Sequence, residues 1–165
     1  MSETDSVAIV LEAFRAVEQR DEERLLELYH PAVEFHWPPS LPFGRATSPR
    51  AVDRRGPSWS DVWDPLQPTE AERRMHPRVV AATEREVVVL WRQHGVREDG
   101  ERFDGEVLGL YEVRDGKFAR AQMFYFDTVA VQQFLGSSEG RTSPHPEHGV
   151  AAVQAMFETF RPAAD

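Results

Sequence analysis

Between residues 78 and 126 the chain carries four runs rich in Val, Leu, Thr and aromatic residues, at 78–83, 86–94, 102–113 and 117–126. They are separated by turn signals at Thr83-Glu84, Asp99-Gly100 and Asp115-Gly116. Gaps this short make the runs an antiparallel meander of three hairpins. Ahead of them, Val7, Val10, Leu11, Phe14 and Val17 recur at helical spacing behind the capping candidates Asp5 and Ser6, which predicts a helix over 6–19. Asp21 is placed to cap a second helix carrying Leu25, Leu28 and Tyr29, stopped by His30-Pro31. Residues 32–37, AVEFHW, alternate and run into Pro38-Pro39, as a short strand entering a loop does. Two helices followed by a meander describe an α+β domain whose helices cover one face of a curved sheet.

Two stretches stand outside that pattern. Residues 40–74 are rich in Pro, Arg and Ser around Trp59 and Trp63, and only SWSDVWDPL reads as a helical turn or two. After Gly136 the composition is that of a flexible linker, and Val150, Val153, Met156, Phe157 and Phe160 then fall on one side of a final amphipathic helix. The expected organisation is a domain over 1–136, a linker over 137–149, and a helix and tail over 150–165.

A length of 165 residues suffices for one domain with a real core. The chain has no cysteine, which excludes disulfides, thiolate metal sites and a cysteine nucleophile and points to a cytoplasmic address. Nineteen Lys and Arg against 28 Asp and Glu give a net charge of −9, which opposes binding to nucleic acid or to an anionic membrane. The start, MSETDSVAIVLEAF, is acidic where a signal peptide is basic, and no apolar run approaches a membrane span.

The segment AQMFYFDTVAVQQFL, residues 121–135, sets one carboxylate, Asp127, at the end of an aromatic strand. Among Phe124, Tyr125 and Phe126 its charged form is disfavoured, which suits an acid or base working near neutral pH. Asp127 or Thr128 also has the chemistry of a helix N-cap, and the two roles are compatible. On the first strand Glu34 and His36 share one face and Val33, Phe35 and Trp37 the other. If Glu34 and His36 face a cavity, they form a carboxylate-oriented imidazole able to move a proton. If they face water, the apolar trio is core. Trp91 and Gln93 share a face, as do Val107, Gly109 and Tyr111. The missing side chain of Gly109 leaves a gap in an aromatic wall, fit for a flat apolar ligand in a pocket of roughly a few hundred Å³, with Trp63 and Met123 as further lining. The alternative is that Trp91 and Tyr111 are ordinary core.

Other features carry less. His145 and His148 lack a third metal ligand, and no metal site is expected. Arg45, Arg50, Arg54 and Arg55 form a basic run able to meet a phosphate or carboxylate, or simply solvent. No phosphate-binding glycine loop, dinucleotide fingerprint or GxSxG elbow occurs, so no cofactor is implied.

Helix, helix, strand with a Pro-rich exit, and a meander closing on YEVRDGKFARAQMFYFD before a short helix with QQFL together resemble the SnoaL-like polyketide cyclases of the nuclear transport factor 2-like superfamily. Ketosteroid isomerases and limonene-epoxide hydrolases share that fold. The resemblance covers roughly residues 6–136. It implies a cone-shaped curved sheet, an α+β barrel with the N-terminal helices over its concave face, and dimerisation through the outer face. In the cyclases an Asp at the end of the last strand is the acid and base, and Asp127 matches it. VEFHWPPSLPFGR, residues 33–45, is similar to the epoxide hydrolases, whose water-holding positions fall on Glu34 and His36, although VVLWR at 88–92 lacks their Arg and Asp pair.

The expected function is therefore cofactor-independent acid and base catalysis on a hydrophobic small molecule, by cyclisation or isomerisation of a polyketide-like secondary metabolite in a homodimer. Asp127 would move the proton, His36 and Glu34 would be its counterpart, and Tyr125 or Tyr111 would donate to a developing oxyanion. Epoxide opening is the alternative within enzymes. A non-catalytic ligand-binding or dimerisation module is the alternative outside them.

Overall fold

The computed structural model describes residues 2–41 and 66–136. Trp63, the 42–65 arginines, the linker with His145 and His148, and the expected C-terminal helix all lie outside the described residues. Among the described residues, three helices and five strands follow in the order α1 (Glu3–Gln19), α2 (Glu22–Leu28), β1 (Tyr29–His36), β2 (Arg78–Ala82), β3 (Glu86–Val96), β4 (Arg102–Arg114), β5 (Lys117–Tyr125) and α3 (Thr128–Gly136).

The first helix begins three residues earlier than its apolar stripe predicts. Ser2 is the N-cap: its hydroxyl accepts from Asp5 N at 3.2 Å, and the Asp5 carboxylate accepts from Ser2 N at 2.8 Å. Ser2 and Asp5 thus satisfy each other's amides as a capping box. Ser6, a predicted cap, is instead fully buried, with its hydroxyl 2.6 Å from the Thr83 carbonyl oxygen, tying α1 to the β2–β3 turn. Asp21 caps α2 as expected, accepting from Arg24 N at 3.0 Å.

The strands form one sheet in the order β1-β5-β4-β3-β2, with β1 parallel to β5 and the other pairs antiparallel. β1 starts at Tyr29, so Pro31 lies inside it. An edge strand tolerates a residue without an N–H, and the register of β1 against β5 is irregular between Tyr29 and Glu34, around that proline. The tightest hairpin joins Arg114 to Lys117 through Asp115 and Gly116, both at positive φ, the conformation that follows the sheet's twist. Further irregularities at Val79/Ala81 and Glu112/Val113 add curvature.

Helix α1 lies across the inner face of this sheet. Phe14 meets Trp91 and Tyr111 edge-on, with ring centroids 5.9 and 5.5 Å away. Val10 and Ala13 pack with it against Val87, Val89, Val107 and Val113. Alternation along β3, β4 and β5 puts Trp91 and Gln93, Gly109 and Tyr111, and Met123 and Tyr125 on this one inner face.

Candidate functional site

The inner face holds an apolar cavity of about 70 Å³. Phe14 from α1, Trp37 beyond β1, Tyr29 at the head of β1, and Trp91, Tyr111 and Met123 from the sheet wall it. A dry cavity of about 150 Å³ takes a benzene ring. The space here is smaller than that and well below the predicted few hundred Å³, because the side chains lining it are mostly rings. The glycine gap is filled in the same way. A β-carbon at Gly109 would overlap the hydroxyl end of Tyr111, so the missing side chain makes room for Tyr111 rather than for a ligand.

Beyond the cavity on the same face sit Gln93 and Tyr125. Gln93 is 0% exposed and opposes Gly105 across the β3–β4 ladder. Its amide approaches the Tyr125 hydroxyl without an aligned hydrogen bond, and neither group has another partner. Burial holds the Tyr29, Tyr111 and Tyr125 hydroxyls far above their ordinary pKa, so all three are neutral donors at physiological pH. For Tyr111 and Tyr125 the neighbouring side chains of Trp91 and Gln93 offset part of that effect.

Asp127 stands elsewhere. It is exposed, and its Oδ1 accepts from Ala130 N at 2.9 Å, capping α3. The apolar surroundings inferred from Phe124, Tyr125 and Phe126 do not exist in space. With Tyr125 turned inward, Phe124 and Phe126 point outward and are 48% and 89% exposed. Asp127 lines a surface cleft of about 350 Å³ with Tyr125, Phe103, Arg92, Asp104 and Glu106. Tyr125 is the one predicted residue shared by this cleft and the inner face. Within the cleft Arg92 bonds Asp104 at 2.8 Å and holds its carboxyl below the usual range, and His94 lies 3.2 Å from the same carboxylate.

The first strand resolves its two-way choice against the cavity placement of its polar pair. Val33 and Trp37 are buried, and Phe35 stacks on Trp37 and Phe118. Glu34 and His36 face away from the cavity and pair with each other at 3.0 Å, 52% and 31% exposed. Burying three apolar side chains is favourable, and the polar pair keeps its hydration by staying in water. Sequence reasoning missed Phe14, Tyr29 and Met75 as lining, since a helical stripe or a loop methionine carries no mark of which core residue borders a void. Among the described residues, no group of three or more His, Cys, Asp or Glu converges to hold a metal. No described helix is long and apolar enough to cross a membrane.

Residues 10–121 match the family model described as SnoaL-like domain. Among solved structures, TerC co-crystallised with polyporic acid superposes with a TM-score of 0.60 at 19% identity, over 80% of this chain and 98% of that one. An NTF2-like protein of unknown function from Burkholderia pseudomallei K96243 gives 0.57 at 14% identity, over 78% and 95%. A protein provisionally described as a SnoaL-like polyketide cyclase from Jannaschia sp. CCS1 gives 0.56 at 16% identity, over 79% and 91%. No curated protein sequence matches the chain. At these identities the structures establish the fold.

Proposed function

Because the chain belongs to the SnoaL-like domain family, within the NTF2-like superfamily, we propose that it takes a flat, apolar small molecule onto its inner face and turns it over by acid and base chemistry without a cofactor. Ring closure or isomerisation of a polyketide-like compound is the reaction, and the cytoplasm its setting. The observation that carries this reading is the position of Tyr125. Its ring borders the cleft that holds Asp127, and its buried hydroxyl sits beside Gln93 on the aromatic inner face. A ligand reaching from the cavity toward the cleft would meet a neutral hydroxyl donor and a carboxylate in turn.

In this scheme Asp127 takes a proton from a carbon next to a carbonyl. Tyr125 donates to the enolate oxygen that develops, and the carbon nucleophile closes on a second carbonyl, whose oxygen receives the proton back. Occupation requires the cavity to widen beyond its present volume. Incubating the full chain with linear poly-β-ketone models and following cyclised product by mass spectrometry tests the proposal. Product at the uncatalysed rate with every substrate would refute catalysis of this kind.

A second reading, a non-catalytic ligand-binding module, is favoured by the exposure of Asp127 and its use as a helix cap. Binding without turnover would establish it. Epoxide opening has less support, since the pair it needs, Glu34 and His36, faces away from the cavity. Homodimerisation through the outer face of the sheet is part of the proposal. Leu108 and Phe124, register partners on β4 and β5, are 39% and 48% exposed there, and sedimentation velocity reads the state directly.

A further inference from the structure

Every inward side chain of β3, β4 and β5 is uncharged, and four of them end in polar atoms: Trp91, Gln93, Tyr111 and Tyr125. Three of these tips are orphaned. Trp91 Nε1, both amide atoms of Gln93 and the Tyr125 hydroxyl are buried without an aligned hydrogen bond, although Gln93 lies beside the Tyr125 hydroxyl and Trp91 beside that of Tyr111. An unmade buried hydrogen bond is destabilising, and a position that only needed filling would be served better by Leu or Met at 93 and Phe at 125. The orphans are also neighbours. Trp91 and Tyr125 both register on Val107 of β4, from opposite sides, and Gln93 registers on Gly105, two residues along on the same face. Gly105 has no side chain to cover the amide, and the ring of Phe103 folds over it.

We propose that Gln93 and Tyr125 are the specificity-determining pair of the inner-face site. On this proposal the site selects neutral aromatic molecules carrying a hydroxyl next to a carbonyl over hydrocarbons of the same shape. The proposal rests on the reading of the inner face as a ligand site. Gln93 supplies one acceptor and two donor hydrogens, and Tyr125 a further donor. A carbonyl flanked by a hydroxyl answers both: the carbonyl accepts from the amide N–H or the tyrosine, and the hydroxyl donates to Gln93 Oε1. A carboxylate is disfavoured, because no inward side chain of these strands is a cation that could neutralise it.

The test uses single-ring probes matched in shape, ethylbenzene, acetophenone and ortho-hydroxyacetophenone, titrated against the full chain by ligand-detected NMR. The wild type should bind ortho-hydroxyacetophenone at least about fivefold more tightly than ethylbenzene. Gln93→Leu and Tyr125→Phe should each lower that preference by about fivefold while leaving the Kd for ethylbenzene within about twofold. Thermal melting checks that Gln93→Leu folds. If it does not, Tyr125→Phe, which loses a single oxygen atom, decides alone. Equal affinity for the three probes in the wild type, or a preference that neither variant changes, overturns the pair while the ligand site stands. Failure of all three probes to bind overturns the ligand site and the pair with it.

Discussion

The hydroxyl end of Tyr111 lies over the Cα of Gly109, two residues before it on the same face of β4, in the space a side chain at 109 would fill. Tyr111 cannot swing aside freely, since Phe14 and Phe118 hold its ring at centroid distances of 5.5 Å each. Gly109→Ala should therefore destabilise the domain by about 1–3 kcal/mol, as overpacking does. Combining it with Tyr111→Leu should give a double mutant more stable than the two single effects predict. Additive losses in urea denaturation would mean that the two residues do not compete for space.

The three tyrosines of the chain, Tyr29, Tyr111 and Tyr125, all have hydroxyl pKa values raised by burial. A folded pKa above the unfolded value means that the native state holds its proton more tightly. Stability from these groups is complete below about pH 10 and is lost as pH rises beyond it. Absorbance at 295 nm should stay flat through pH 10 and rise only together with loss of the far-ultraviolet circular dichroism signal. A tyrosine that ionises near pH 10 in a folded protein would contradict the burial described above.

Asp127→Ala should cost about 1 kcal/mol, because the Ala130 N–H loses its acceptor, while Asp127→Asn should keep most of that cap. Under the proposed chemistry both variants lose turnover, and only the Ala variant loses stability. Full turnover by Asp127→Asn would leave this residue a cap and remove it from the mechanism.

Replacing His36 or Glu34 should alter stability by no more than about 1 kcal/mol, the range for an exposed polar pair whether or not it is charged, and should leave binding at the inner face unchanged. Loss of ligand affinity on His36→Ala, with the melting temperature held, would mean that the outer side of β1 takes part after all.

We propose that residues 1–136 are an independent domain. A chain ending at Gly136 keeps every described element, and its core draws on α1, α2 and the five strands. It should melt cooperatively, with the circular dichroism spectrum of a mixed α and β protein. A broad, non-cooperative transition would make the remaining residues part of the fold.

Much of the architecture was legible because it is written in local chemistry. Asp115-Gly116 can be little other than a tight hairpin, Asp21 caps α2, and alternation put Trp91 with Gln93 on one face of β3 and Val107, Gly109 and Tyr111 on one face of β4 in advance. The site was less legible. Phe124, Tyr125 and Phe126 are a cluster along the chain but not in space, since a strand sends its neighbours to opposite sides and leaves Asp127 beside solvent.

By itself the sequence determined the order of the described elements, the meander and which residues share a face on β1, β3 and β4, because turn chemistry and side-chain period act over a few residues. Only the tertiary structure decided which face of β1 turned inward, that Tyr111 fills the gap at Gly109, and that Gln93 and Tyr125 meet without an aligned hydrogen bond. Those outcomes depend on how strands far apart in sequence register with one another and on how rings from α1, β1 and β4 share a limited volume. Such packing is set by shape and distance between elements, which no short stretch of sequence contains.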